Sequence, residues 1–312
     1  MYQLFSILIF PGILFLVIFS LLAEYLDRII YARLQNRQGP PWFQPFADFI
    51  KLIAKEELIP TEANKTMFTL APLFALTAVI VPIFYIPVTG MQALYSFRGD
   101  IVAVLYLLTI PTLAFFIGGW YSTSLYARIG SVRAITQLFA YEVPLFMGIL
   151  APALLANTWS ISEMTVFYSA HPLYTVVNII GFAVSLVALL GKLEKTPFDI
   201  PEAETEIVAG SFTEYSGKRL AFFRLAIDIE AIVGAALIAA VFLPFGLGLG
   251  HKWIFVLFIV KVLFVIELLA LMRTVVARLR IDQMIDFCWK YAAPAALVQI
   301  LINLLLKLVL LK

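Results

Sequence analysis

The sequence has very little cysteine and histidine. Among 312 residues there is one cysteine, Cys288, and there are two histidines, His171 and His251. This set cannot form a disulfide framework, a Cys-x-x-Cys cluster site or a bis-histidine haem site within the chain. Both histidines fall in predicted loops, where a histidine is far more often structural than a metal ligand. We therefore expect any redox metal to lie in a partner and not in this chain.

Charge is also scarce. Asp, Glu, Lys and Arg make up 13% of the residues and hydrophobic residues 62%, about half the charge of an average soluble chain. This composition excludes a soluble globule. The 22 basic and 20 acidic residues give a net charge of only +2, which excludes a disordered or nucleic-acid-binding protein. The sequence thus predicts a multi-pass membrane protein, with the lipid bilayer as its surroundings.

Three further features are missing. No basic residue precedes the first apolar run, which is too long and wrongly flanked for a cleaved signal and is expected to be a retained helix. No internal repeat is apparent, so the inverted-repeat architecture of many secondary transporters has no support. Neither a glycine-rich phosphate loop nor a Ser-His-Asp arrangement is present.

Long apolar runs dominate what remains. Runs of about 20 residues cross ~30 Å of hydrocarbon, and they predict a single all-α integral membrane domain over residues 1–312. Prolines inside several runs predict kinks and not breaks, because neighbouring helices satisfy the freed carbonyls. The predicted spans number eight and cover residues 4–23, 67–88, 101–122, 135–155, 173–191, 225–245, 253–272 and 291–311.

The basic residues of the loops predict the orientation. The first, third, fifth and seventh loops carry 17 Lys and Arg residues, against two in the even-numbered loops. By the positive-inside rule the odd-numbered loops face the cytoplasm, so both termini lie outside. Charge is concentrated in two of these loops, 24–66 and 192–224, which we expect to form a docking and coupling surface.

The first charged loop contains a short amphipathic segment. Residues 45–57 place Phe46, Phe49, Ile50 and Ile53 at helical spacing. The segment is too short to span the membrane, so it is predicted to lie along the cytoplasmic interface as a helix.

The second charged loop carries a group of carboxylates. An acidic variant of a helix N-terminal capping box is formed by Asp199, Pro201 and Glu202. Glu202 and Glu206 then stand on one helix face, with Glu204 on the other side, and a buried pair of this kind would share a proton. A solvated acidic cap on a loop helix has the same spacing, and the sequence leaves this alternative open.

Ionisable residues also occur inside the predicted spans. Glu142 lies seven residues inside the fourth span, roughly 10 Å deep, where an ionised carboxylate is costly unless it is paired or faces water. Asp228 and Glu230 enter the sixth span, and Lys261 and Glu267 lie in the seventh. We expect spans four, six and seven to line one polar file for protons or cations. Static neutralisation, for example of Lys261 by a carboxylate on another helix, is the alternative.

Four segments together resemble one family. They are residues 28–41, 137–142, 197–217 and 273–290. In order along almost the whole chain they resemble the membrane subunit that anchors the hydrophilic redox arm of respiratory complex I, which bears the letter H in bacteria. Pro-Phe-Asp-x-Pro-Glu-Ala-Glu followed by Glu-Tyr-Ser-Gly is its highly specific signature.

The resemblance implies a protein of the cytoplasmic membrane in which electron transfer is coupled to proton or sodium movement by a chain of carboxylates. Its implied acidic coupling residues are Glu142, Glu202, Glu204, Glu206 and Glu214. Arg37 and Asp199 are implied at the junction, and Arg273, Arg278 and Arg280 fit a cytoplasmic docking rim.

Departures from the family pattern indicate which branch of the family the chain resembles. Glu-Tyr-Ser-Gly is usually followed by an apolar run ending in Glu-Tyr, whereas residues 218–230 here contain several charges. Residues 39–48 and 244–246 are more similar to the homologous anchor of energy-converting, membrane-bound nickel–iron hydrogenases. That branch implies hydrogenase-like large and small subunits, an iron–sulfur protein and antiporter-like membrane subunits as partners. Iron–sulfur clusters and a nickel–iron site are then expected in those partners, on the cytoplasmic side, with no cofactor and no catalysis in this chain alone.

Two alternatives stay open. One is the quinone-site membrane subunit of a respiratory complex I, with the two charged loops forming a quinone cavity. The other is a stand-alone cation carrier, which the intramembrane charges favour but the two long charged loops do not.

Overall fold

The computed structural model describes residues 2–90, 92–246 and 251–310, and the side chains of residues 2, 3, 204, 205, 251, 252 and 310 lie outside this description. Over these ranges the chain is helical and contains no strand. The helices are α1 (Tyr2–Leu8), α2 (Ile13–Leu34), α3 (Gln44–Ala54), α4 (Lys65–Ile80), α5 (Asp100–Trp120), α6 (Leu125–Ala156), α7 (Ile161–Ala170), α8 (Pro172–Val177), α9 (Ile179–Lys192), α10 (Glu204–Ile207), α11 (Gly217–Phe242), α12 (His251–Val275), α13 (Ile281–Phe287) and α14 (Ala293–Leu310).

Seven segments of the described chain are long and apolar enough to cross a membrane, which confirms an all-α multi-pass protein. The predicted fifth span is different, because it is divided into α8 and α9 at Asn178. The side-chain amide of Asn178 donates to the carbonyl of Tyr174 at 2.9 Å. The 14 residues of α9 rise about 21 Å, less than the hydrocarbon thickness, so a count of eight spans and the side on which the termini lie stay predictions.

Several predicted boundaries and one predicted kink are wrong. α2 continues to Leu34, and α6 begins at Leu125, ten residues before the predicted span. Residues 9–12 around Pro11 separate α1 from α2, so this proline coincides with a break. Pro72, Pro111 and Pro144 lie inside continuous helices, as predicted. The amphipathic segment of the first loop is confirmed as α3.

Helix α11 forms the centre of the bundle. It is the most buried span and packs against α2, α3, α4, α9 and α12. Its small residues permit this close packing: a Cβ atom on Gly234 would lie 2.6 Å from Cδ1 of Leu189 on α9.

The loop between α9 and α11 folds back into the bundle. Gln137 of α6 holds it by donating from Nε2 to the carbonyls of Gly191, at 2.7 Å, and Phe198, at 2.8 Å. Further along, a Cβ atom on Gly130 would lie 2.6 Å from Cα of Gly210, so the loop backbone lies directly on α6. The carboxylates of this loop are therefore carried on a packed, partly buried segment.

Candidate functional site

A cavity of about 580 Å³ opens at one end of the bundle, which we call the charged cavity. Its walls are the C-terminal half of α2, the helix α3, the loop after α9, the start of α11 and the region at the end of α12. Six carboxylates and five cations line it, namely Glu24, Asp48, Glu194, Asp199, Glu202, Asp228, Arg28, Lys195, Arg224, Arg273 and Arg278. The first, fifth and seventh predicted loops thus meet at this end of the molecule.

The carboxylate of Asp27 ties three segments together beside the cavity. Asp27 is buried, and its Oδ2 atom lies 2.8 Å from Nζ of Lys195 and 2.5 Å from Nη1 of Arg273. Glu24 lies 3.4 Å from the same Lys195 nitrogen. Burial lowers the pKa of Lys195, but the carboxylates of Asp27 and Glu24 outweigh it and leave the pKa raised. Lys195 is therefore a permanent cation of this wall.

A second row of ion pairs follows the acidic loop. Arg278 lies 3.0 Å from Asp199 and 3.6 Å from Glu206. Arg224 of α11 contacts Glu202 at 2.7 Å. The loop is thus connected to the start of α11 and to the segment that follows α12.

Two predictions for the acidic loop are wrong, namely the capping box and the proton shared by Glu202 and Glu206. α10 has only four residues, and no side chain caps its first turn. Glu202 pairs with an arginine of α11, whereas Glu206 lies 2.7 Å from Arg133 of α6. The hydrogen bond from Arg133 lowers the pKa of Glu206, so this carboxylate stays ionised. The two carboxylates contact arginines of other helices and therefore do not cap α10.

Glu194 differs from the other carboxylates of the cavity because it is almost fully buried. Its side chain is 8% exposed, and its Oε1 atom has no hydrogen-bond partner among the described residues. Burial raises the pKa of Glu194 to about 8, and the carboxylates of Glu202 and Glu230 add to the rise. Glu194 therefore carries a proton at neutral pH.

Close to Glu194, a buried ion pair lies between α9 and α11. Nζ of Lys192 is 3.0 Å from Oε1 of Glu230, with exposed fractions of 1% and 0%. Lys192 also donates to the carbonyl of Leu108 on α5, and it lies 5.7 Å from the ring centroid of Tyr141. Glu142 on α6 is half-buried and within electrostatic range of Lys192. A charged pair this far from water is costly unless its geometry is well satisfied.

The other predicted coupling residues are dispersed. Asp228 lines the charged cavity, and Glu214 is half-buried beside Tyr215, away from the cavity lining. Lys261 donates to the carbonyl of Phe245 at 2.5 Å and not to a carboxylate. Glu267 is exposed on α12. Of the predicted polar file, the structure thus brings only Glu142 and Glu230 to a common neighbour, Lys192. Asp228, Lys261 and Glu267 lie elsewhere.

The predicted docking arginines have different surroundings. Arg37 is exposed after α2, and Arg280 is exposed at the start of α13, where it lines a second recess of about 500 Å³ together with Glu206. Arg273 is not on a rim, because it lies inside the charged cavity beside Asp27. The side chain of Glu204 lies outside the described residues.

Sequence reasoning missed eight charged residues of this site, namely Glu24, Asp27, Arg28, Asp48, Lys192, Glu194, Lys195 and Arg224. Five of them stand at the end of an apolar run, where the change from apolar to charged sequence was the available signal: Glu24, Asp27, Lys192, Glu194 and Lys195. Among the residues that the structure describes, no three His, Cys, Asp or Glu side chains are grouped as metal ligands would be.

The chain is similar to known proteins over nearly its whole length. Residues 7–304 match the family described as NADH dehydrogenase. The H-type membrane chain of the NADH-quinone oxidoreductase of Dehalococcoides mccartyi is 36% identical over 296 residues, covering 93% of this chain and 83% of that protein. Its counterpart in Bacillus thuringiensis is 35% identical over 319 residues, covering 97% and 92%.

A solved structure is also similar. A chain of the membrane-bound sulfane sulfur reductase, an archaeal respiratory membrane complex, aligns with a TM-score of 0.81 and 25% identity, covering 93% of this chain and 96% of that chain.

Proposed function

The chain belongs to the NADH dehydrogenase family as a membrane subunit of an oxidoreductase complex, and we propose that it is the ion-coupling subunit of a hydrogenase-type, energy-converting member. In this function it anchors a peripheral module that holds iron–sulfur clusters and a nickel–iron site. The charged cavity faces that module and the cytoplasm, as the distribution of basic residues predicts. Antiporter-like membrane subunits complete the complex.

The observation that carries the proposal is the buried pair of Lys192 and Glu230, at 3.0 Å, next to the cavity-lining Glu194. Intramembrane ionisable groups that face the bundle interior usually mark an ion path. When Glu194 gives up its proton, it becomes a second anion near Glu230 and competes for the ammonium group of Lys192. A charge change in the cavity is thereby transmitted to a pair inside the membrane.

The cavity lining favours a hydrogenase-type complex. Eleven charged side chains surround about 580 Å³, an environment suited to water and small ions. A quinone would have to bring a long apolar tail through the same space. The similarity to a chain of the sulfane sulfur reductase, over 96% of that chain, points in the same direction. The acceptor would then be protons or a sulfur species.

Ion translocation by carboxylate variants tests the coupling function. Glu142→Gln and Glu202→Gln each remove an ionisable group and keep its shape. We expect hydrogen oxidation with a soluble dye to stay near the wild-type rate, while ion uptake by inverted membrane vesicles falls about 100-fold, the lower end of the loss for a missing proton-transfer group. Asp286→Asn is the matched control, because Asp286 is exposed and pairs with Lys290, and neither residue lines the cavity. Full uptake in both variants would refute the coupling function.

A second function is a quinone site. The names of the NADH-quinone oxidoreductase relatives favour it, and so do Tyr31, Phe49 and Leu52, which supply apolar and aromatic surface to the cavity. Purification of the intact complex in mild detergent separates the two, because nickel with iron indicates the hydrogenase type. Iron with flavin and a bound quinone indicates the complex I type.

A further inference from the structure

Helix α12 has one face that no part of the described chain covers. Residues of this stripe recur every three or four positions, as on one side of a helix, and are between 46% and 65% exposed. They are Trp253, Val256, Val260, Phe264 and Leu271. Glu267 lies on the same stripe, between Phe264 and Leu271, and is also exposed.

Glu267 lies well inside the span. It is eight residues from Val275, the last residue of α12, which corresponds to about 12 Å along the helix axis. Arg273, whose guanidinium marks the level of the charged cavity, is six residues nearer to that end. Among the described residues no ion pair or hydrogen bond involves the carboxylate of Glu267. A carboxylate at this depth is costly against hydrocarbon and is normally paired.

Another outward face of the molecule shows what lipid contact requires. On α14 the exposed residues Leu297, Leu301, Leu305 and Leu308 are all apolar. Hydrocarbon can cover this stripe with no unpaired polar group. The α12 stripe differs from it by one ionisable group at its centre.

We propose that the α12 stripe is the interface with a membrane-spanning helix of a partner subunit, and that this helix places a lysine or arginine side chain against Glu267. Charge complementarity selects this occupant, since lipid leaves the carboxylate unpaired and a second copy of the chain would bring two Glu267 carboxylates together. Polar side chains hold membrane helices together in this way. The inference is independent of the ion path, because Glu267 lies outside the charged cavity and its ion pairs.

Site-directed photo-cross-linking in the intact complex tests this interface. The photoreactive residue p-benzoylphenylalanine replaces Phe264 on α12 and, as the matched control, Leu301 on α14. We expect position 264 to cross-link to a membrane-spanning peptide of another subunit that contains a lysine or arginine, well above the level at position 301. Cross-links from position 264 only to lipid, only to a second copy of this chain, or at the level of position 301 would overturn the proposal.

Charge reversal tests the ion pair itself. Glu267→Lys should lower the recovery of the complete complex in mild detergent about fivefold, and Glu267→Gln should lower it less because the amide still accepts a hydrogen bond. Reversal of the cross-linked lysine or arginine to glutamate should restore recovery with Glu267→Lys. The amount of this chain in the membrane is measured for each variant, which detects a folding defect. The cross-linking experiment keeps the native Glu267, so it still tests the proposal if Glu267→Lys does not fold. Unchanged recovery with Glu267→Lys would overturn it.

Discussion

Replacing Lys192 by methionine should destabilise the protein strongly. The substitution keeps an unbranched side chain of similar length but removes the ammonium group that lies 3.0 Å from Glu230. The Oε2 atom of Glu230 already lacks a hydrogen-bond partner among the described residues, and its side chain is fully buried. Removing one partner of such a pair costs about 3–5 kcal/mol, since the other charge stays buried and unpaired.

A double-mutant cycle isolates this energy from other effects. Lys192→Met, Glu230→Gln and the double variant are compared by the thermal unfolding midpoint of the purified complex. We expect each single change to lower the midpoint, and the double variant to recover much of the loss because no unpaired charge remains. Lys290→Met is the control, as Lys290 and Asp286 form an exposed pair that should contribute nothing measurable. If the single losses simply add in the double variant, the pair does not interact and the reasoning fails.

Two further predictions concern the charged cavity. Because the pKa of Glu194 is raised from 4.5 to about 8, the stability that its buried proton contributes is fully present below pH 4.5 and is lost as the pH rises from there through about 8. Ion uptake measured across this pH range should therefore change near pH 8. Glu194→Gln cannot release a proton, so it should lower uptake at every pH and remove this change; a change at the same pH in the variant would assign it to another group. Asp27→Asn leaves Lys195 and Arg273 facing each other without their shared anion, so the unfolding midpoint should drop by the equivalent of about 2 kcal/mol, and an unchanged midpoint would contradict the assigned contacts.

The acidic loop shows where local pattern and tertiary structure diverge. The spacing of Asp199 and Glu202 predicts a helix cap, which is worth about 1 kcal/mol. In the folded chain both carboxylates contact arginines from distant elements instead. A cap would pair each carboxylate with a backbone N–H group, whereas the arginines bring a full positive charge. The sequence spacing contains no information on which arginine comes near.

The sequence also did not indicate whether an ionisable side chain in a span faces the protein interior or the outside of the bundle. Periodicity alone did not separate Glu230, which is fully buried, from Glu267, which is exposed. Neither α11 nor α12 has one distinctly more apolar face, since lipid and protein interior are both apolar. Which side of a membrane helix faces a neighbour is then decided by packing.

The membrane class, most of the spans and the family could be read directly from the order of the residues, because crossing a hydrocarbon layer depends on the length and composition of a continuous run and because the acidic motif is contiguous. The identity of the charges that meet depended on folding: Asp27 and Arg273 are 246 residues apart, and Lys192 and Glu230 lie on different helices. Ion pairing acts over a few ångströms in space, and that distance exists only after the helices have packed.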